Sequence, residues 1–301
     1  MNKERMGIII ATKDRPDEVV RLLESIAAQG TGPVQTIVVD GGDGTLKDIL
    51  DKFRPLKIDY ARADPPSLTA QRNIGIKMLT DEVTIAVFLD DDIVLQKDSL
   101  KNMIGFWEGA SADTCGASFN LINEIHKKPT RLEKMFLVNT DTPNRMLRSG
   151  FQGKVAFVEK TIPASWMAGC SMAFRKEIFK EFMFDEWFSG YARYEDVDFT
   201  YRVGKKYKMF VAADAKVLHL NRVLEDMRFS VSLGKMEVAN RLYFVKKYTE
   251  LSLPLCYWGL LGVFLNHLSK GLFRLDMRSI RRAFGNVRGL CDTFTGRSGD
   301  N

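Results

Sequence analysis

An apolar run that ends in three consecutive aspartates constrains the fold of this 301-residue chain more than any other stretch. Ile85 to Leu89 have the length and β-branched content of a buried strand, and Asp90, Asp91 and Asp92 follow at once. Adjacent carboxylates repel one another unless a cation or solvent screens them. At the carboxyl end of a strand in an open α/β sheet such a cluster lies where ligands bind, and its oxygens suit Mg²⁺ or Mn²⁺. A solvated acidic turn is the alternative interpretation.

Strand-like and helix-like patterns alternate along the chain. Apolar runs predict strands at 7–11, 35–39, near 58, and at 85–89, 114–121, 163–174, 209–212 and 215–220. Helical spacing predicts helices at 18–29, with Asp17 as cap, and at 46–53, 68–79, 97–107 and 195–206. This alternation predicts an α/β fold with a mostly parallel sheet and helices on both faces. A glycine-rich dinucleotide fingerprint and a P-loop are both missing from the sequence, which argues against dehydrogenases and P-loop NTPases.

Two segments depart from this alternation. Residues 123–153 are polar and lack a sustained period, which favours either a mobile excursion on the active-site side or a variable surface insertion. After residue 221 the pattern becomes helical, with an amphipathic helix at 236–248. The chain therefore divides into a domain at 1–222 and a helical extension at 223–301.

The charge is concentrated in that extension. The net charge is +6, and residues 235–297 carry 11 Lys and Arg against 4 Asp and Glu. A basic tail on a near-neutral body favours an anionic surface met by one region and not a nucleic-acid partner. Residues 253–268 are apolar and carry Tyr257, Trp258 and Phe264, but are too short for a clear membrane span. They predict either a helix in a membrane interface, with an anionic membrane contact over 251–297, or a buried helix that closes the domain.

The four cysteines and the N-terminal residues indicate the cellular compartment of the protein. Cys115, Cys170, Cys256 and Cys291 are far apart and form no CxxC pair, as expected of reduced thiols. Residues 1–6 run directly into a strand and do not resemble a signal peptide. We expect a cytoplasmic protein, peripheral on the inner face of the cell membrane if the tail is interfacial.

Several short motifs occur in a fixed order. They are Thr12-Lys13-Asp14-Arg15 after the first strand, Asp40 after the second, Leu68-Thr69-Ala70-Gln71-Arg72-Asn73-Ile74-Gly75, the Asp triplet, Glu195-Asp196 and His219. Over residues 6–222 this order resembles the inverting glycosyltransferases of family 2. The resemblance implies a Rossmann-like GT-A fold for residues 1–222.

The resemblance also implies a donor site for a nucleotide-diphosphate sugar, with UDP- or dTDP-sugars favoured. Its residues are Thr12, Asp14, Arg15, Asp40, Arg72, Asn73, Asp90 and Asp91. Asp40 is expected to accept a hydrogen bond from the base and Asp90 to contact the ribose, while Arg72 lies near the base and phosphates. A divalent Mn²⁺ or Mg²⁺ is expected on Asp92 or Asp91, with His219 as a further ligand.

Single-displacement chemistry, implied by the same resemblance, needs a general base for the acceptor hydroxyl. Asp196 is the expected base, and Glu195 is expected to support it or to position the acceptor. Trp166, Gly169 and Ser171 fall where relatives contact the sugar or the acceptor, and a glycine also permits close backbone approach. The expected acceptor is a glycan or lipid-linked hydroxyl in cell-envelope polysaccharide synthesis.

Two other functions fit parts of the pattern. A sugar-phosphate nucleotidyltransferase also uses carboxylates and metal, but is expected to carry glycine in the loop after the first strand, and residues 12–16 have none. A non-catalytic sugar-nucleotide-binding module of a membrane complex has no need of both the Asp triplet and Glu195-Asp196.

Overall fold

The computed structural model describes residues 4–125, 127–220 and 229–295. These residues form two compact units. The first comprises 4–125 and 155–220, and the second comprises 127–154 and 229–295. The prediction divided the chain once, near residue 222. The structure differs from it over 127–154, which group with the C-terminal helices.

The first unit begins with alternating strands and helices. In order they are β1 (Met6–Thr12), α1 (Pro16–Ala27), β2 (Gln35–Asp40), α2 (Lys47–Leu50), a 3-10 turn (Asp51–Phe53), β3 (Ile58–Arg62), α3 (Leu68–Met78) and β4 (Ile85–Asp90). Pro16 opens α1, where its missing N–H costs nothing. The predicted cap, Asp17, instead lies in the first turn of α1, where a carboxylate suits the helix dipole.

The remainder of the first unit is less regular. Its elements are β5 (Ile93–Leu95), α4 (Ser99–Gly109), β6 (Thr114–Leu121), β7 (Ile162–Pro163), β8 (Ser171–Arg175), a 3-10 turn (Lys176–Lys180), α6 (Glu195–Gly204) and β9 (Lys208–His219). The predicted strand at 163–174 is confirmed only at its ends, in β7 and β8, because residues 164–170 between them form a loop. The two strands predicted at 209–212 and 215–220 are one continuous strand, β9.

One mixed sheet runs through the first unit, in the order β3-β2-β1-β4-β8-β6-β9-β5, with β7 paired to β9. The parallel pairs are β1 with β2 and β4, β2 with β3, and β6 with β9, whereas β8, β5 and β7 pair antiparallel with their neighbours. Buried apolar side chains lie on both faces: one cluster includes Leu22 of α1 and Met103 of α4, and the other includes Ile76 of α3 and Phe199 of α6. The predicted α/β fold with helices on both faces is confirmed.

The second unit is helical. It contains α5 (Arg131–Met135), α7 (Phe229–Lys247), α8 (Leu253–Arg274) and α9 (Met277–Thr295). Trp258 of α8 donates its indole N–H to the carbonyl of Met135 at 2.8 Å and packs on Phe136. Among the described residues, none of the helices is long and apolar enough to cross a membrane.

Candidate active site

Three strand ends meet at one edge of the sheet. The parallel registers pair Thr12 with Asp40 and Ala11 with Asp90, so the last residues of β1, β2 and β4 lie side by side. In open α/β sheets this carboxyl edge is where ligands bind. The structure therefore brings three of the predicted site residues together.

Asp91, the middle residue of the Asp triplet, bonds to residues at and after the end of β1. Asp91 is buried and accepts hydrogen bonds from Thr12 Oγ1 at 2.8 Å and from Arg15 Nη1 at 3.1 Å. Burial raises the pKa of Asp91 to about 6, although Thr12 and Arg15 oppose the rise. Asp91 thus joins the loop after β1 to the turn between β4 and β5.

Strand pairing brings the last member of the triplet to His219. β5 and β9 are antiparallel with Ile93 opposite His219, so Asp92, one residue earlier, lies beside the imidazole. His219 Nε2 is 3.2 Å from Asp92 Oδ1. Burial acts to raise the pKa of Asp92, but the interaction with His219 outweighs it and the pKa is lowered. For His219 burial acts to lower the pKa, but Asp92 outweighs it and the pKa is raised.

Asp90, the first member, is held by a buried arginine. Arg72 of α3 is 2% exposed. Its Nη2 donates to Asp90 Oδ1 and to the Gly169 carbonyl, both at 2.9 Å, and its Nη1 donates to Glu195 Oε1 at 2.5 Å. The cation also lies 5.3 Å from the centre of the Phe184 ring. The three aspartates therefore have three different partners, which relieves the repulsion expected from the sequence.

The second acidic pair begins α6. Glu195 is buried, and its Oε2 has no hydrogen-bond partner among the residues that the structure describes. Burial raises the pKa of Glu195 to about 8, although Arg72 opposes the rise. Asp196 is half-buried and accepts the Gly169 amide at 2.8 Å on Oδ2 and the Val197 amide at 2.8 Å on Oδ1. Burial also raises the pKa of Asp196, against these amides and Arg72.

Gly169 lies between Arg72 and Asp196. Its carbonyl accepts from Arg72 and its amide donates to Asp196. A Cβ at this position would lie 3.0 Å from the Arg72 guanidinium nitrogens and 3.0 Å from Asp196 Cβ. The absence of a side chain at Gly169 thus allows Arg72 and Asp196 to approach its backbone closely.

Asp40 is the last residue of β2 and is buried. Its Oδ1 accepts the Gly42 amide at 2.7 Å and its Oδ2 accepts the Tyr60 hydroxyl at 2.9 Å. Arg62 lies 3.8 Å from Oδ2 and donates to the carbonyls of Gly42 and Gly44. A carboxylate has about four lone-pair sites, so capacity remains for a ligand donor.

The other predicted residues have varied surroundings. Asp14, at φ +54°, accepts the Asp43 amide at 3.0 Å and so joins the loops after β1 and β2. Asn73 bonds both the carbonyl and the amide of Phe184, at 3.0 and 2.9 Å, which makes it a brace for the segment before α6. Trp166 is buried, and Ser171 is fully buried in β8 opposite Leu89. Ser171 thus lacks the access that contact with an acceptor would require.

Sequence reasoning missed Gln71, Tyr60 and Arg62. Gln71 is buried and its Nε2 donates to the carbonyls of Thr12 and Val39, both at 2.8 Å, which ties the ends of β1 and β2 together. Its place beside Arg72 in the quoted motif was the available signal. Tyr60 and Arg62 follow only from the parallel pairing of β2 and β3, which places Arg62 opposite Asp40.

The side chains near the triplet fit a divalent cation in part. Asp92 offers a carboxylate oxygen and His219 an imidazole nitrogen, a mixed set that manganese accepts. Within the part of the chain that the structure describes, no three His, Cys, Asp or Glu side chains are arranged to hold a metal by themselves. Such a pair suits an ion that takes its remaining ligands from phosphate oxygens and water.

Comparison with known families identifies the chain at the level of its family. Residues 7–183, more than half of the chain, match the model described as Glycosyl transferase family 2. The chain belongs to glycosyl transferase family 2. Among curated proteins none matches it.

Solved glycosyltransferases share the fold of this family 2 chain at low sequence identity. S. aureus TarS, residues 1–349, is 15% identical with a TM-score of 0.51, over 94% of this chain and 91% of that one, and has also been solved with UDP-GlcNAc. The mannosyltransferase PcManGT from Pyrobaculum calidifontis, in complex with GDP-Man and Mn²⁺, is 12% identical with a TM-score of 0.60, over 97% and 88%. GalNAc-T7 with UDP, GalNAc and Mn²⁺ is 13% identical with a TM-score of 0.55, over 87% of this chain and 55% of that one.

Proposed function

We propose that this family 2 glycosyltransferase moves a sugar from a nucleotide-diphosphate donor to an acceptor hydroxyl, with inversion at the anomeric carbon and assistance from a divalent metal. The observation that carries the proposal is the divided Asp triplet at the carboxyl edge of the sheet. One aspartate pairs with His219, and another shares Arg72 with the Glu195-Asp196 pair that begins α6. A donor-binding edge and a candidate base are thereby linked through one buried arginine.

Asp196 is the base that we propose. An acceptor hydroxyl must lose its proton as it attacks, and a carboxylate with a raised pKa accepts that proton more readily near neutral pH. Burial raises the pKa of Asp196, and the Gly169 amide fixes one of its oxygens. Because Asp196 is only half-buried, an acceptor can approach it. A single displacement needs no covalent enzyme intermediate.

Arg72 and Glu195 are positioning residues in this proposal. The resemblance implied that Arg72 lies near the nucleotide base and phosphates, whereas three of its five N–H donors bond to Asp90, Glu195 and Gly169. We propose that Arg72 orients the general base, Asp196, through the Gly169 peptide. The Gly169 carbonyl accepts a hydrogen bond from Arg72, and the Gly169 amide donates one to Asp196.

Asp92 and His219 are the residues that we propose to hold the metal, with Asp91 retained by Thr12 and Arg15. When bound, Mn²⁺ or Mg²⁺ would offset the negative charge that develops on the departing diphosphate. Arg15 and Thr12, through Asp91, hold the turn that carries Asp92.

For the donor we propose a uridine or thymidine diphosphate sugar. Asp40 retains acceptor capacity for a base N–H, and Tyr60 and Gly42 hold its carboxylate in place. TarS and GalNAc-T7 were solved with uridine nucleotides, which supports this choice, whereas PcManGT was solved with GDP-Man.

For the acceptor we propose a glycan or lipid-linked hydroxyl in cell-envelope polysaccharide synthesis, at the cytoplasmic face of the membrane.

Nucleoside diphosphate release tests the proposal. We expect acceptor-dependent release from one of a panel of UDP- and dTDP-sugars, and an Asp196→Asn variant slower by about 10²- to 10⁴-fold. Calorimetric donor binding should be retained in that variant. Asp214→Asn, the same change at an exposed carboxylate of β9, is the control. Donor binding without release in the wild type would favour a non-catalytic module, and pyrophosphate release from a nucleoside triphosphate and a sugar phosphate would favour a nucleotidyltransferase.

Thermal denaturation tests the metal site separately. A ligand that binds only the folded state raises the melting temperature, so donor with Mn²⁺ should raise it more than donor alone. Asp92→Ala should abolish the metal-dependent part of the shift, and Asp214→Ala should not. A full metal-dependent shift in Asp92→Ala would contradict the assignment of Asp92.

A further inference from the structure

The last helix packs with its small residues inward. The inner face of α9 carries Ser279, Ala283, Gly285, Asn286 and Gly289, all buried. A Cβ at Gly285 would meet the carbonyl oxygen of Val231 in α7, so the two backbones are too close for a large side chain between them. This face has no room for the phenylalanines that the same helix carries.

The large apolar side chains of α9 consequently lie outside. Phe284 is 57% exposed and Phe294 is 72% exposed, with Val287 exposed between them. Their spacing of three and seven residues places them on one face of the helix. A surface helix that serves only to close a domain has the opposite pattern, with large apolar residues buried.

The turn between α8 and α9 continues this apolar surface. Phe273 is 85% exposed and Leu275 is 84% exposed, and Leu272 and Met277 beside them are exposed as well. The sequence placed the interfacial residues earlier, at 253–268, but there Cys256, Gly259, Leu260, Gly262 and His267 are buried within α8. Trp258, Leu261 and Leu265 of the same stretch are 42 to 44% exposed, so α8 is only partly buried, and the most exposed apolar residues of these helices lie farther along, at 272–294.

The charges on this surface are predominantly positive. Arg274, Arg278 and Arg288 are exposed, and Arg281 is half-buried beside them. The Arg288 guanidinium carbon lies 5.7 Å from the centre of the Phe284 ring. The acidic residues of the same segment are engaged locally, since Asp276 accepts from Ser279 and Asp292 pairs with Lys235.

We propose that residues 272–294, through the α8–α9 turn and the outer face of α9, dock on an anionic phospholipid membrane surface. Exposed phenylalanines and leucines flanked by arginines match the boundary between acyl chains and acidic headgroups. A protein partner is disfavoured because four arginines surround the apolar residues without an interleaved set of exposed acids. The residues of this docking surface belong to the second unit and those of the proposed transfer site to the first, so each proposal is tested by its own variants.

Vesicle flotation with the full chain tests this surface. We expect binding to vesicles of phosphatidylcholine with phosphatidylglycerol, weak binding to phosphatidylcholine alone, and loss of binding at high salt. The triple variant Phe284→Ser, Val287→Ser, Phe294→Ser should bind at least tenfold more weakly. The double variant Arg278→Gln, Arg288→Gln should lose about fivefold for each charge.

The matched control is Leu132→Ser with Met135→Ser, two exposed apolar residues of α5 in the same unit. It should bind as the wild type does, and circular dichroism should show unchanged helix content in every variant. Equal binding to neutral vesicles, or wild-type binding by the triple variant, would overturn the proposal. Concentration-dependent self-association that the triple variant abolishes, without vesicle binding, would show instead an interface between copies of this chain.

Discussion

Arg72 contacts more residues of the site than its sequence motif suggests. One planar guanidinium donates to Asp90, Glu195 and the Gly169 carbonyl from a position that is 2% exposed. Three acidic side chains, counting Asp196, surround this one cation, so the cluster has an excess of carboxylates. That excess, together with burial, is why the pKa values of Glu195 and Asp196 are raised.

Arg72→Lys distinguishes positioning from phosphate binding. A lysine keeps the charge but cannot reproduce the planar fork that reaches all three acceptors. We expect kcat to fall by about 10²-fold, since small displacements of a catalytic group are costly. The donor Kd, measured by calorimetry, should change by less than about threefold. A Kd that weakens in parallel with kcat would instead make Arg72 a phosphate ligand.

Glu195 gives the stability of the protein a pH dependence of known sign. Its pKa is raised from an ordinary 4.5 to about 8 by burial, so between these values the folded chain binds a proton that the unfolded chain has released. Stability should therefore fall as pH rises through this range, by up to about 1.4 kcal/mol per pH unit from this group. Glu195→Gln should flatten the urea-unfolding free energy between pH 5 and 8. An unchanged slope in the variant would show that Glu195 is ionised throughout.

At the scale of elements, the strands that were predictable are those whose pattern lies within their own residues. β1, β2 and β4 are continuous apolar runs that end in polar residues, so their order and their shared edge were predictable. β8 and the loop before it were not, because Trp166 to Cys170 are as apolar as a strand yet bend to bring Gly169 to Arg72. The conformation of this loop is set by contacts with α3 and α6, so the loop sequence itself has no periodic pattern that predicts it.

The packing of α9 on α7 gives a prediction at this scale. Because a Cβ at Gly285 would meet backbone atoms of α7, Gly285→Ala should lower the free energy of unfolding by about 1 to 3 kcal/mol. Gly105→Ala is the control, since Gly105 lies in α4 with open space around it. There alanine should raise stability, by up to about 1 kcal/mol, through helix propensity. Urea denaturation of both variants measures the difference, and equal effects would contradict the close packing.

At the scale of the whole molecule, the second unit is assembled from two distant parts of the sequence. Phe136 packs against Trp258, and the Ser252 amide donates to the Arg148 carbonyl at 2.7 Å. The polar, aperiodic composition of 123–153 gave no sign of these contacts, because their partners lie about 100 residues later. The predicted division near 222 would therefore separate 127–154 from the helices they pack on.

Truncation after residue 221 tests whether residues 127–154 depend on the C-terminal helices for their stability. In the full chain Phe136 packs on Trp258 of α8, and the centre of the Phe151 ring lies 3.5 Å from the Arg241 guanidinium carbon of α7. The shortened chain lacks both helices, so we expect increased binding of a hydrophobic dye and aggregation on concentration. The full chain under the same conditions is the reference. A truncated protein that stays monomeric and unfolds cooperatively would show that 127–154 is stable without its C-terminal partners.

The pairing of Asp92 with His219 also sets an order of events as the chain is synthesised. The acidic triplet is complete two residues after the end of β4, but the imidazole beside Asp92 is synthesised only with the last residue of β9. A nascent chain shorter than this already contains Arg72 and Arg15, the partners of Asp90 and Asp91, but not the partner of Asp92. The Asp92–His219 pair therefore forms late, after nearly all of the first unit has been translated.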